Sequence, residues 1–176
     1  MKKMVWGFNM GRRIFAMAIA LFMGAAGFCA SVSFQIVQHD ECLDEFCVST
    51  LIMEDEILNS FYNFGHIVSN VPAVVSSSKN QDSTFWSKGY KEASDGFFDN
   101  FIQVHLYLNS ASSSNQGKAS LGIIKKVAWK VASIATGNTI DEGSKNVSVQ
   151  AQKDTEENVR GFADELASYL QKTIKK

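Results

Sequence analysis

The clearest pattern in the chain runs from Phe101 to Leu108, where Ile102, Val104, Leu106 and Leu108 alternate with Phe101, Gln103, His105 and Tyr107. A period of two puts the first set on one face and the second on the other, and predicts a half-buried strand. At the carboxyl end the period changes. Val159, Phe162, Ala163, Leu166, Ala167, Leu170 and Ile174 form one stripe, with Asp154, Glu156 and Glu157 early and Lys172, Lys175 and Lys176 late. Those charges suit the helix dipole, and the stripe predicts a final helix that packs on a sheet.

The remaining elements follow from shorter signals. Ser33–Val37 reads as a first strand or as the tail of the segment before it. Ser49–Phe64 reads as an amphipathic helix burying Leu51, Ile52, Leu58, Phe61 and Tyr62, with Gly65 as its C-cap. His66–Val75 is rich in β-branched residues, and Pro72 makes it an edge strand or one that stops there. Thr84–Asp95 predicts a short helix closed by Gly96 and interrupted by Gly89. Ser76–Ser83 and Asn109–Ser120 are polar loops. Lys126–Ala135, the Thr136-Gly137-Asn138 turn and a strand returning from Thr139 make a hairpin. This order predicts a small two-layer α/β (α+β) domain over residues 31–176, a mixed sheet of four to five strands packed by about three helices.

Residues 1–30 read differently. Lys2, Lys3, Arg12 and Arg13 precede an apolar run from Ile14 to Phe22 that continues to Ala30, the layout of a secretory signal. Three fates are open: cleavage near the small residues Gly24, Ala26, Gly27 and Cys29; lipid attachment at Cys29, after the imperfect box Ala26-Gly27-Phe28; or retention as an anchor, since a bilayer needs ~20 apolar residues. Arg12-Arg13 also matches a twin-arginine pattern, but with no cofactor motif behind it general secretion is the expectation. Export would place the body in a periplasm or cell envelope, where Cys42 and Cys47 in Cys-Leu-Asp-Glu-Phe-Cys are candidates for a loop disulfide or for two thiols near a helix start.

Charge narrows the partners. Beyond residue 30 the chain has 13 basic and 18 acidic residues, a net of −5, so nucleic acid is not an expected ligand. The chain contains no phosphate loop, dinucleotide fingerprint, nucleophile elbow or zincin motif. A metal set of His39, Cys42 and Cys47 has the wrong spacing and no fourth ligand. The acidic clusters lack the order of a calcium loop. No cofactor or metal is therefore expected. Phe85, Trp86, Phe97 and Phe98, with Phe101, are aromatic enough for a partner-binding patch or for core.

The element order, Phe64-Gly65-His66-Ile67-Val68-Ser69-Asn70 after the first helix, Tyr90–Asp95 leading into Phe101-Ile-Gln-Val-His-Leu, and Trp129-Lys-Val ending at Thr136-Gly137 together resemble the envelope family of the curli secretion lipoprotein and the lipoprotein activators of penicillin-binding proteins. The resemblance spans about residues 33–174 and implies a non-enzymatic envelope protein that binds another envelope protein or assembles with itself, with a possible membrane tether. An enzyme using His66 or His105 with nearby carboxylates is the alternative class, marked by a pocket where histidine and carboxylate converge.

Overall fold

The computed structural model describes residues 29–39, 45–109, 117–148 and 155–174. Six strands form one mixed sheet: β1 (Ser31–His39), β2 (Ile67–Asn70), β3 (Val74–Ser76), β4 (Asn100–Leu108), β5 (Ile124–Ser133) and β6 (Thr139–Asn146). β1 pairs in parallel with β4 on one side and with β2 and β3 on the other. β5 and β6 add antiparallel strands outside β4. Pro72 falls between β2 and β3, so the β-branched run stops and restarts along one edge, as a residue without an N–H requires. The helices are α1 (Val48–Asn63), α2 (Asp82–Asp95) and α3 (Glu156–Ile174). Among the described residues, no helix is long and apolar enough to cross a membrane.

The main core lies where α1 and α3 meet one face of the sheet. Val32, Phe34 and Ile36 of β1 and Ile102, Val104 and Leu106 of β4 are fully buried against Met53, Ile57 and Phe61 of α1 and Val159, Ala163 and Leu170 of α3. The stripe expected of the final helix is the one it buries. The face of α1 differs from expectation. Leu51 and Tyr62 are 48% and 72% exposed, whereas Ser49, Thr50 and Ser60 are buried. The small polar side chains can go inside because each finds a partner: Thr50 Oγ1 donates to Gln38 Oε1 at 2.6 Å, Ser49 Oγ to the Ser120 carbonyl and Ser60 Oγ to Asp164.

The two helix ends use the same cap differently. After α1, the His66 N–H bonds the Phe61 carbonyl and the Gly65 N–H the Tyr62 carbonyl, with Gly65 at φ +84°, a Schellman motif on the expected glycine. After α2 the corresponding bonds are Phe98 to Ala93 and Phe97 to Ser94, so the left-handed position falls on Phe97 (φ 58°) and not on Gly96 (φ −81°). Gly96 is needed for space: a Cβ there would stand 2.8 Å from the Phe98 ring. Gly89 likewise interrupts nothing. It is where α2 touches the sheet, and a Cβ there would stand 2.5 Å from Phe101.

Candidate functional site

The second face of β1 and β4 is polar, and α2 packs against it. There Phe101 is buried beneath Trp86 and Tyr90 at ring separations of 5.1 and 6.4 Å, and Phe98, Ala93 and Val71 complete a small second core. Trp86 and Phe98 are thus packed inward, Phe85 is half-buried, and Phe97 alone of the four aromatic candidates stands out, 91% exposed. They do not form one patch.

Further along the same face a line of hydrogen bonds crosses the two strands. Register places Gln35 beside Gln103, Val37 beside His105 and His39 beside Tyr107. Gln35 Nε2 donates to the Pro72 carbonyl at 3.1 Å, Gln103 Nε2 to Gln35 Oε1 at 2.8 Å, and Gln103 Oε1 lies 3.0 Å from His105 Nε2. A carbonyl can only accept, so Pro72 orients both amides and obliges His105 Nε2 to carry the proton. The His105 Nδ1 lone pair then faces His39 Nε2 at 2.8 Å, and His39 donates. The ring centroids are 5.1 Å apart with a 20° tilt, the arrangement of two imidazoles meeting edge to edge through that bond. Tyr107 lies flat on His39, 4.3 Å between centroids and 8° between planes.

The third member comes from the start of α2. Asp82 Oδ1 is 3.9 Å from His39 Nε2 and receives a 3.2 Å bond from Ser76 Oγ at the end of β3. One donor atom from each of His39, Asp82 and His105 lies within 4.8 Å of the others. The cluster therefore sits at the carboxyl ends of three parallel strands, the end at which open α/β sheets place ligands. Burial, and then His39, push His105 down to about 4 against the opposing pull of Asp82, so the imidazole is neutral at physiological pH. Burial and the Asp82 charge raise the Tyr107 hydroxyl.

Other residues singled out in the sequence lie elsewhere. His66 is buried edge-on against Phe61, with Nδ1 3.2 Å from the Ala30 carbonyl, far in the fold from His105 and its carboxylate. Cys47 is buried at the start of α1, and its N–H donates to Gln38 Oε1 at 3.0 Å. Cys42, its proposed disulfide partner, lies outside the described residues. Cys29 is exposed two residues ahead of β1. A groove of about 550 Å³ between β6 and α3, lined by Trp129, Lys145, Phe162, Glu165 and Tyr169 among others, has no histidine in its wall. The sequence marked His105 as a member of the less apolar face and, with His66, as the histidine of the alternative enzyme reading, without naming its carboxylate. Asp82, 23 residues before it and in a different element, carried no local signal at all.

A family model described as "Uncharacterised protein" matches residues 31–175. No curated protein matches the chain. Among solved structures, TolB from Acinetobacter baumannii is similar at 10% identity and TM-score 0.40, with 83% of this chain and 28% of that one aligned. This chain thus spans 28% of the length of that protein. A Xanthomonas campestris protein of the DUF330 family is similar at 10% identity and TM-score 0.45, over 85% of this chain and 90% of that one.

Proposed function

The chain belongs to the family matched over residues 31–175, and we propose that it is an exported, non-enzymatic cell-envelope protein whose domain binds another envelope component at the end of the sheet where Phe97 stands. The observation that carries the binding half is Phe97 itself. A left-handed backbone costs an L-residue roughly 1–2 kcal/mol, and an apolar ring left in water returns none of it. Such strain on an exposed aromatic points to a use beyond folding. Phe97 also stands beside the start of β1, since the Asp99 N–H bonds the Ser31 carbonyl, and Ser31 returns both its N–H and its hydroxyl to Asp99 Oδ2 at 2.8 Å. Those bonds, the backbone one first, hold the Asp99 carboxyl below its ordinary range. Ile67, 65% exposed, flanks the same point through its bond to the Ala30 carbonyl.

The export half rests on the basic and apolar pattern of residues 1–30, and the resemblance to the curli and penicillin-binding-protein activator lipoproteins supports the same reading. In it, Cys29 is the lipid attachment candidate, and an intact mass starting at an acylated Cys29 distinguishes a tethered protein from a cleaved free one. The binding half is tested with a photoreactive phenylalanine analogue at position 97 in cells of a diderm bacterium. One discrete adduct in the envelope fraction is expected, absent when the probe is moved to the exposed Ser94. The same adduct from both positions, or none from 97, overturns the reading. Phe97→Gly should lose the interaction while stabilising the fold by up to ~1 kcal/mol in urea unfolding, because glycine takes the left-handed conformation freely.

A further inference from the structure

We propose that His39, Asp82 and His105 form a binding site for a borderline divalent cation, with zinc as the type case, at the carboxyl ends of β1 and β4. Two imidazoles and one carboxylate are a donor set such cations take, leaving one coordination position for water or for a donor from a partner. Tetrahedral ligands at zinc distances of about 2.0–2.2 Å stand about 3.3 Å from one another. The His39–His105 and His39–Asp82 separations of 2.8 and 3.9 Å bracket that value, and no two of the three donor atoms are more than 4.8 Å apart.

What raises this cluster above a chance meeting of polar groups is the shell around it. His105 presents Nδ1 as a lone pair because Gln103, itself 1% exposed and oriented through Gln35 by the Pro72 carbonyl, takes the proton on Nε2. Metal-binding histidines are held in this way, by a partner on the second ring nitrogen. Asp82 is steadied by Ser76, and His39 is held flat under Tyr107. Binding replaces the hydrogen bond between the two imidazoles with the cation. The hydrogen on His39 Nε2 moves to Nδ1 of the same ring, a change of tautomer, and the lone pairs of His39 Nε2 and His105 Nδ1 then face the ion. The cation would tie β1 and β4 to the first turn of α2.

The test uses the full chain without a histidine tag, stripped with chelator and titrated with Co²⁺ and then Zn²⁺. One equivalent of Co²⁺ should bind, with visible absorption bands that Zn²⁺ displaces. Asp82→Asn and His105→Asn should each weaken binding at least ~100-fold, and Gln103→Leu, which touches no ion, ~10–100-fold. Asp82→Asn keeps shape and lies at a partly exposed helix start, so its fold, followed by circular dichroism, should be unchanged. Failure of the wild-type chain to bind either ion at about millimolar concentration, or binding that Asp82→Asn and His105→Asn leave unaltered, overturns the proposal. Both readouts are independent of the Phe97 surface, which stands at the opposite end of the strands.

Discussion

On one side β1 and β4 present Val32, Phe34, Ile36, Ile102, Val104 and Leu106; on the other the same two strands present Gln35, His39, Gln103, His105 and Tyr107. The first side is closed along its length by two helices. The second is met by one helix, α2, with Trp86 and Tyr90 on Phe101, Gly89 against Phe101 and Gln35, and Asp82 beside His39. Both are largely buried, yet they are held by different physics. On the apolar side every residue contributes area removed from water, and any one can change without altering the others' identity. On the polar side each group is acceptable only because its neighbour satisfies it, so the residues act as a directional chain that begins at one carbonyl. That is why the reactive groups gather on the second side: a row of satisfied polar side chains can hold an imidazole in a chosen tautomer, and a packed apolar face cannot.

The contrast can be broken from either side, and the largest effect belongs to the apolar one. Phe34→Ala should cost about 3–5 kcal/mol in urea unfolding, since the ring is fully buried between sheet and helices. A cost below that of Gln103→Leu would mean that the two faces are not ranked as described.

Acid should act on the polar side through His105. His105 is held at about 4 in the fold against 6.5 when unfolded, so between those values the unfolded chain binds the extra proton and the folded one does not. Stability is therefore full above pH 6.5 and falls as pH drops toward 4, by up to ~3 kcal/mol. Unfolding midpoints measured from pH 7 to 4.5 in chelator should show this slope, and His105→Asn should flatten it.

The smallest of the three is Gln103→Leu, about 1–3 kcal/mol, because it leaves Gln35 Oε1 and the His105 Nε2–H without their partners in a buried row. It sharpens the comparison when set beside Ile102→Val, its neighbour on the apolar face, at about 0.5–1.5 kcal/mol. The smaller chemical change should be the apolar one.

Much of the scaffold was legible in the residues. β4 shows in its alternation, α3 in its stripe and dipole-matched ends, the β5–β6 hairpin in Thr136-Gly137-Asn138, and the cap of α1 in Gly65. Each of these signals is local, complete within about 20 residues. The errors have one origin. Leu51 and Tyr62 were expected inside α1 because they are apolar, but Thr50, Ser49 and Ser60 took the inner positions once Gln38, Ser120 and Asp164 supplied partners from distant segments. Gly96 was expected to turn the chain after α2, but the contact of Phe98 claimed it and passed the left-handed turn to Phe97.

By itself, then, the sequence determined the order of most strands and helices, the apolar face of β4 and the acidic character of the body, because these follow from period, propensity and charge within a short stretch. The meeting of His39, Asp82 and His105 was decided by tertiary structure alone. It depends on the parallel register of β1 with β4 and on where α2 begins, and a parallel pair is set by crossovers whose geometry no local pattern encodes.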